Sequence, residues 1–269
     1  MAKSSNRYSQ LIETVFFKHY RNGDTEVRFD RSEFEAEAKI LKIDLPKNQG
    51  DIVYSFRYRT SLPERILALC GPEEEWTIHG VGRGQYQFRK GPATRIAPQA
   101  NLLPAKIPNA TPSIVDQYAI EDEQAVLTKI RYNRLIDLTT GISAYSLQNH
   151  LRTTLKSGSQ IEIDELYVGV DKHGVQYIVP VQAKGGNDRI GRAQLEQDIA
   201  YCAEIYPNLV CLPIAAQFMA AGVIAMFQLT IADDRVRIVQ EKHYRLVQAD
   251  EISGEDLRQF RRLMSDSGD

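Results

Sequence analysis

Tryptophan occurs once and cysteine only three times in the 269 residues. Cys70, Cys202 and Cys211 are too few and too widely spaced for a disulfide framework, and they lack the paired spacing of a structural zinc site. A reducing, cytoplasmic setting is expected. The five histidines, His19, His79, His150, His173 and His243, follow no ligand spacing. No Walker loop or Gly-x-Gly-x-x-Gly fingerprint is present, which disfavours nucleotide-driven chemistry. Behind the basic residues of Met1 to Arg7 there is no apolar run, so a secretory signal is not expected. One uncharged stretch, Leu209 to Ala232, exceeds the ~18 residues a spanning helix needs. Pro213, Gln217, Gly222 and Gln228 interrupt it, however, and it reads as two buried strands flanking a small-residue turn or short helix; no membrane is expected.

Net charge is also nearly absent, at −2, but unevenly so. Residues 1–90 carry 15 Lys and Arg against 13 Asp and Glu, whereas residues 118–269 carry 16 against 21. Nothing draws the whole chain to a polyanion, so any nucleic-acid contact must come from local basic clusters. With 43% hydrophobic and 25% charged residues, the chain nonetheless has the composition of a globular protein.

Five of the eleven prolines, Pro92, Pro98, Pro104, Pro108 and Pro112, fall between residues 91 and 117. Such a stretch sustains neither helix nor central strand and reads as an extended linker between residues 1–90 and 118–269. In the first part, Leu11, Ile12, Val15 and Phe16 set a helical face. Ser32 with Glu35 three residues later has the spacing of a capping box opening a second helix. Ile52, Val53 and Phe56 give a third helix whose other side carries Lys47, Asn48, Arg57 and Arg59. The segments Trp76–Gly80 and Gln85–Arg89 make a hairpin around Val81-Gly82-Arg83-Gly84. Helices followed by a basic hairpin are the order of a winged helix. There the third helix enters the major groove, making Lys47, Asn48, Arg57 and Arg59 the readers, with Arg83, Arg89 and Lys90 as phosphate or minor-groove contacts. A small α/β domain with a solvated charged face is the alternative.

The second part holds the most informative segment. Gln160–Val170 reads as a strand, Asp171-Lys172-His173-Gly174 as its turn and Val175–Lys184 as the returning strand. Period-two alternation puts Glu162 and Asp164 on one face of the first and Gln182 and Lys184 on one face of the second. A helix from about Asp188 to Tyr206 follows, and Gly185-Gly186 would let a backbone approach closely. A helix from about Glu121 to Leu138 precedes the hairpin, and an apolar strand, Leu209 to Ile214, closes the series.

Asp164, then Gln182-Ala183-Lys184, then a helix: this spacing resembles the PD-(D/E)XK nuclease superfamily over roughly residues 118–245. The resemblance implies a mixed sheet flanked by helices and a Mg2+ cofactor, with Mn2+ as substitute. It also implies Asp164 as principal metal ligand with the Ala183 carbonyl beside it, and Lys184 orienting the attacking water. Gln182 departs from the pattern, because it stands where Glu or Asp is usual and offers an oxygen without charge. Glu162, on the Asp164 face, and Glu123, where several family members carry an extra acid, are the candidates to compensate. Gln194, Gln197 and Tyr201 share a helical face, and Gln197-x-x-x-Tyr201 resembles an accessory motif of recombination-associated exonucleases that could contact DNA or brace the metal ligands. The expectation is therefore a mixed α/β endonuclease cutting double-stranded DNA, on the plan of a type II restriction enzyme, with a second copy of the chain as partner. A structure-selective repair or recombination nuclease, and a catalytically silent DNA-binding protein that keeps the fold, stand as alternatives.

Overall fold

A computed structural model describes residues 7–94, 96–118, 123–185, 190–256 and 258. The protein is mixed α/β, with two open sheets and a separate apolar core against each.

The first sheet is antiparallel and three-stranded. Chain order is α1 (Ser9–His19), β1 (Glu26–Asp30), α2 (Glu33–Leu41), α3 (Gly50–Tyr58), α4 (Glu64–Leu67), β2 (Glu74–Gly82) and β3 (Gln85–Pro92), with sheet order β1-β3-β2. Leu11, Ile12, Val15 and Phe16 recur at helical spacing and are fully buried, so α1 packs its apolar stripe on the sheet. Phe16 meets the rings of Trp76 and Phe88 edge-on at about 5 Å, which makes the lone tryptophan a core residue. Ile52, Val53 and Phe56 bury the inner face of α3, as the spacing implied. The Ser32–Glu35 capping box is not formed. Asp30 Oδ1 instead accepts from the amide and hydroxyl of Ser32, while Glu33 Oε1 accepts from the Asp30 amide, so the reciprocal exchange sits two residues earlier.

Between the two sheets the chain is more ordered than a linker. Ala105–Pro108 forms β4 and Ser113–Tyr118 the short α5. Strand β4 is the outer strand of the second sheet, an edge position where the missing N–H of Pro108 leaves no inner ladder incomplete.

The second sheet follows from α6 (Glu123–Tyr132), α7 (Leu135–Thr140), β5 (Ser143–Thr154), β6 (Gln160–Val170), β7 (Gln176–Lys184), α8 (Arg192–Ile205), β8 (Val210–Cys211), β9 (Ile214–Phe218), β10 (Val223–Ala232) and β11 (Arg235–Val247). Its order is β4-β11-β10-β9-β7-β6-β5, with β8 beside β7, and β7 runs parallel to β9. The expected single helix before the hairpin is two, because Arg134 takes a left-handed conformation between them. Its expected start at Glu121, the expected start of the later helix at Asp188, and Gly186 lie outside the described residues. The uncharged run 209–232 is largely β9, a one-turn 3-10 segment at Ala220–Gly222, and β10, and no helix among the described residues is long and apolar enough to cross a membrane.

The two halves are sealed along α8. Arg192, 2% exposed, donates from Nε to Glu196 and from its other nitrogens to the backbone and carboxylate of Asp234. Arg89 of β3 reaches the same two carboxylates, each at 3.2 Å, and His79 of β2 stands 3.4 Å from Glu196. The β2–β3 turn packs on the β5–β6 turn. Ser159 Oγ donates to the Gly80 carbonyl at 2.6 Å, and a Cβ on Gly158, whose φ is +85°, would stand 3.0 Å from the Arg83 amide nitrogen.

Burial in this seam, beside Arg89, Arg57 and Arg192, lowers His79 to about 4 although Glu196 pulls the other way. The unfolded chain then binds a proton that the folded chain refuses. Stability is expected to fall as pH drops from about 6.5 to about 4, by on the order of 2 kcal/mol. Denaturant midpoints across that window should show a shallower slope for His79→Gln; an unchanged slope would remove His79 as its source.

Candidate functional site

The β6–β7 ladder pairs as far as Glu165 opposite Val181, after which β7 continues beside β9. Where the ladder opens, the Asp164 carboxylate accepts the Ala183 amide at 2.8 Å in place of a backbone partner. Asp164, Gln182 and Lys184 are thus gathered at the mouth of this opening, on the side of the sheet covered by α8. Lys184 is 8% exposed, and its ammonium exerts the largest positive influence on Asp164. Burial raises the Asp164 pKa, Lys184 and the Ala183 amide oppose the shift, and Glu162 adds to it.

Gln182 is held rigidly. Its Nε2 donates to Asp198 Oδ2 at 2.9 Å and to the Glu162 carbonyl at 3.1 Å, while its Oε1 accepts from Gln194 Nε2. Asp198 is the residue that inspection of the sequence missed. It is 1% exposed, its Oδ1 is buried without a partner among the described residues, and burial reinforced by the charge of Asp164 pushes its carboxyl well above the usual range. A signal was present: Gln194 and Asp198 are one helical turn apart, on the face already marked by Gln197 and Tyr201.

The chain has no match among protein-family models, curated proteins or solved structures. The site must therefore be judged on its own chemistry.

The other candidate residues are distributed unevenly. Glu162 turns its carboxylate toward β5, where Arg152 at 3.1 Å and His150 at 3.6 Å engage it, rather than joining Asp164. The side chain of Glu123 reaches the end of β7, its Cγ 4.0 Å from where a Cβ on Gly185 would stand. Gln194, Gln197 and Tyr201 do not form a DNA-contact face. All three are buried: Gln194 braces Gln182, Gln197 accepts from Tyr58 Oη at 2.8 Å, and Tyr201 packs in the core under α8 against Tyr206. Arg57 is an internal strut whose Nε donates to the Ile78 carbonyl, and Arg89 belongs to the seam described above. Asn48 accepts from the Gly50 amide and donates to Asp51, shaping the start of α3. Lys90 pairs with Glu74 at 2.7 Å. Lys47, Asn48, Arg59 and Arg83 are the members of the expected DNA-reading set that remain exposed, and of these Asn48 spends its side chain on the start of α3.

The donor set fits a hard divalent cation. A half-buried and a fully buried carboxylate, both with raised pKa values and the second with an oxygen unpartnered among the described residues, lie beside a lysine and a strand backbone and form a site that a small 2+ charge would relieve. Among the described residues no three His, Cys, Asp or Glu converge on one point.

Proposed function

We propose that the protein is a Mg2+-dependent endonuclease that hydrolyses phosphodiester bonds of double-stranded DNA, on the plan of a restriction enzyme. The observation that carries this reading is the meeting of Asp164, Ala183 and Lys184 where the β6–β7 ladder opens, with Asp198 beneath them. The run α6-α7-β5-β6-β7-α8-β9, with β7 parallel to β9, supports a PD-(D/E)XK core in which the opening of the hairpin is the site. The order α1-β1-α2-α3-β2-β3, with sheet order β1-β3-β2, supports a winged-helix-like module before it.

In this reading Asp164, the Ala183 carbonyl and Asp198 would hold the ion. Asp198 supplies the charge that Gln182 lacks, while Gln182 ties that carboxylate to β7. A bound Mg2+ would lower the pKa of a coordinated water and neutralise charge building on the phosphate. Lys184, almost fully buried, orients the attacking water and faces the developing charge at no cost in reorganisation. Lys47, Arg59 and Arg83 hold phosphates.

Digestion of plasmid DNA with Mg2+ tests the activity, discrete fragments marking site recognition and a smear or no cleavage opposing it. Calorimetric titration with Mn2+ tests the ligand set. Asp198→Asn, which keeps the shape and an acceptor for Gln182, is expected to weaken metal binding at least about tenfold; unchanged affinity would take Asp198 out of the set.

A further inference from the structure

We infer that the outward side of α3 carries a stacking site for an unpaired nucleobase, formed by Tyr54 and Arg59 beside the candidate catalytic carboxylate. The inference deepens the nuclease reading, on which it rests for the identity of the strand that supplies the base.

Tyr54 and Tyr58 are one turn apart on α3, their ring centroids 4.8 Å apart and their planes at 62°. The Arg57 guanidinium stands 4.8 Å from the Tyr58 ring centre, and that of Arg59 stands 5.3 Å from the Tyr54 ring centre. Guanidinium, ring, ring and guanidinium thus form one row. Its inner end is fixed to the other half of the protein: Tyr58 Oη donates to Gln197, next to Asp198 on α8, and Arg57 is bonded to β2. Burial pushes the Tyr58 phenol up to about 12, so it remains a donor throughout the working pH range.

The outer end is different. Tyr54 is half-buried and Arg59 exposed, and among the described residues no carboxylate pairs with Arg59. The Tyr54 ring lies against Tyr58, whose hydroxyl reaches Gln197 beside Asp198 on α8, and this sets it on the catalytic side of the sheet, where the charges of Glu162, Asp164 and Arg152 bear on its phenol. Elsewhere in this half the aromatic rings are gathered into the core around Phe16, Phe29 and Phe88. Tyr54 contributes no such burial, and its guanidinium partner points to a ligand with both a π-face and a negative charge.

A nucleotide has both. Bases stack on aromatic side chains with little regard to sequence, and arginine adds attraction to the ring and to the phosphate. A base within a duplex hides its faces against its neighbours, so the site selects one that is out of the stack. Its position beside Asp164 assigns it to a nucleotide near the phosphate being cut.

Fluorescence anisotropy of the full-length chain in EDTA separates this from the chemistry. The probes are an oligothymidylate of about ten nucleotides and a blunt duplex of the same length. Tyr54→Ala is expected to weaken the single strand at least about fivefold, with little change for the duplex, while Tyr54→Phe binds as the natural chain does. Tyr54→Leu keeps apolar volume and should reproduce the loss if the alanine variant is unstable. Unchanged single-strand affinity in Tyr54→Leu, an equal loss for the duplex, or no binding of the single strand by the unaltered protein would each overturn the assignment. Tyr54-dependent binding without Mg2+-dependent cleavage would keep the stacking site and remove the nuclease reading.

Discussion

Asp164→Asn is expected to abolish the proposed Mg2+-dependent cleavage, by at least about a thousandfold, in a protein that keeps its fold. Asn retains an oxygen to accept the Ala183 amide, so the hairpin opening keeps its shape while losing the charge that the proposed mechanism needs to hold a cation. Lys184→Met should cost about as much for a different reason. The methylene stem still fills its place in β7, but no ammonium remains to face the phosphate. The two losses are distinguished by metal titration, which should fail for Asp164→Asn and survive in Lys184→Met. Thermal unfolding of both variants checks that packing is intact. Cleavage at the natural rate by either variant would remove that residue from the chemistry.

Arg192→Ala is expected to produce the largest loss of stability among single changes outside the apolar cores. The guanidinium is buried and bridges Glu196 on its own helix to Asp234 in the β10–β11 turn, while Gly91 of β3 lies against it. Removing one partner of a buried pair costs about 3–5 kcal/mol. Asp234 is 62% exposed and recovers solvent, which brings the expected figure to about 2–3 kcal/mol. For a chain of this size that is a fall of roughly 5–10 °C in Tm. Arg89 shares both carboxylates, so the double variant Arg89→Ala/Arg192→Ala should lose less than the sum of the singles. Additive losses would show that the four side chains do not act as one network.

How much of this was legible beforehand differs between elements for physical reasons. The β6–β7 hairpin announced itself because its apolar and polar residues alternate around a turn, and α3 because Ile52, Val53 and Phe56 repeat at helical spacing. Strand β5 gave no such pattern: from Tyr145 to His150 it is exposed on both faces at the end of the sheet, so nothing there alternates. Strand β1 is short, with only Val27 and Phe29 buried. Asp198 was hidden by the ordinary expectation that a carboxylate on a helix faces water, an expectation that fails because α8 is covered by the sheet on one side and by β2 on the other. The same double covering explains Gln194 and Gln197, whose spacing was visible but whose partners, Gln182 and Tyr58, come from elements distant in the chain.

The placement of β4 bears on how the chain could be dissected. Proline richness invites a cut after residue 117, but Ala105–Pro108 pairs with Tyr244–Val247 of β11. A fragment beginning at residue 118 would leave that margin of the sheet with open amides and carbonyls, a template for self-association. An autonomous C-terminal piece therefore has to start upstream of Ala105, and even then it would expose Arg192 and Glu196 where β2 and β3 now cover them.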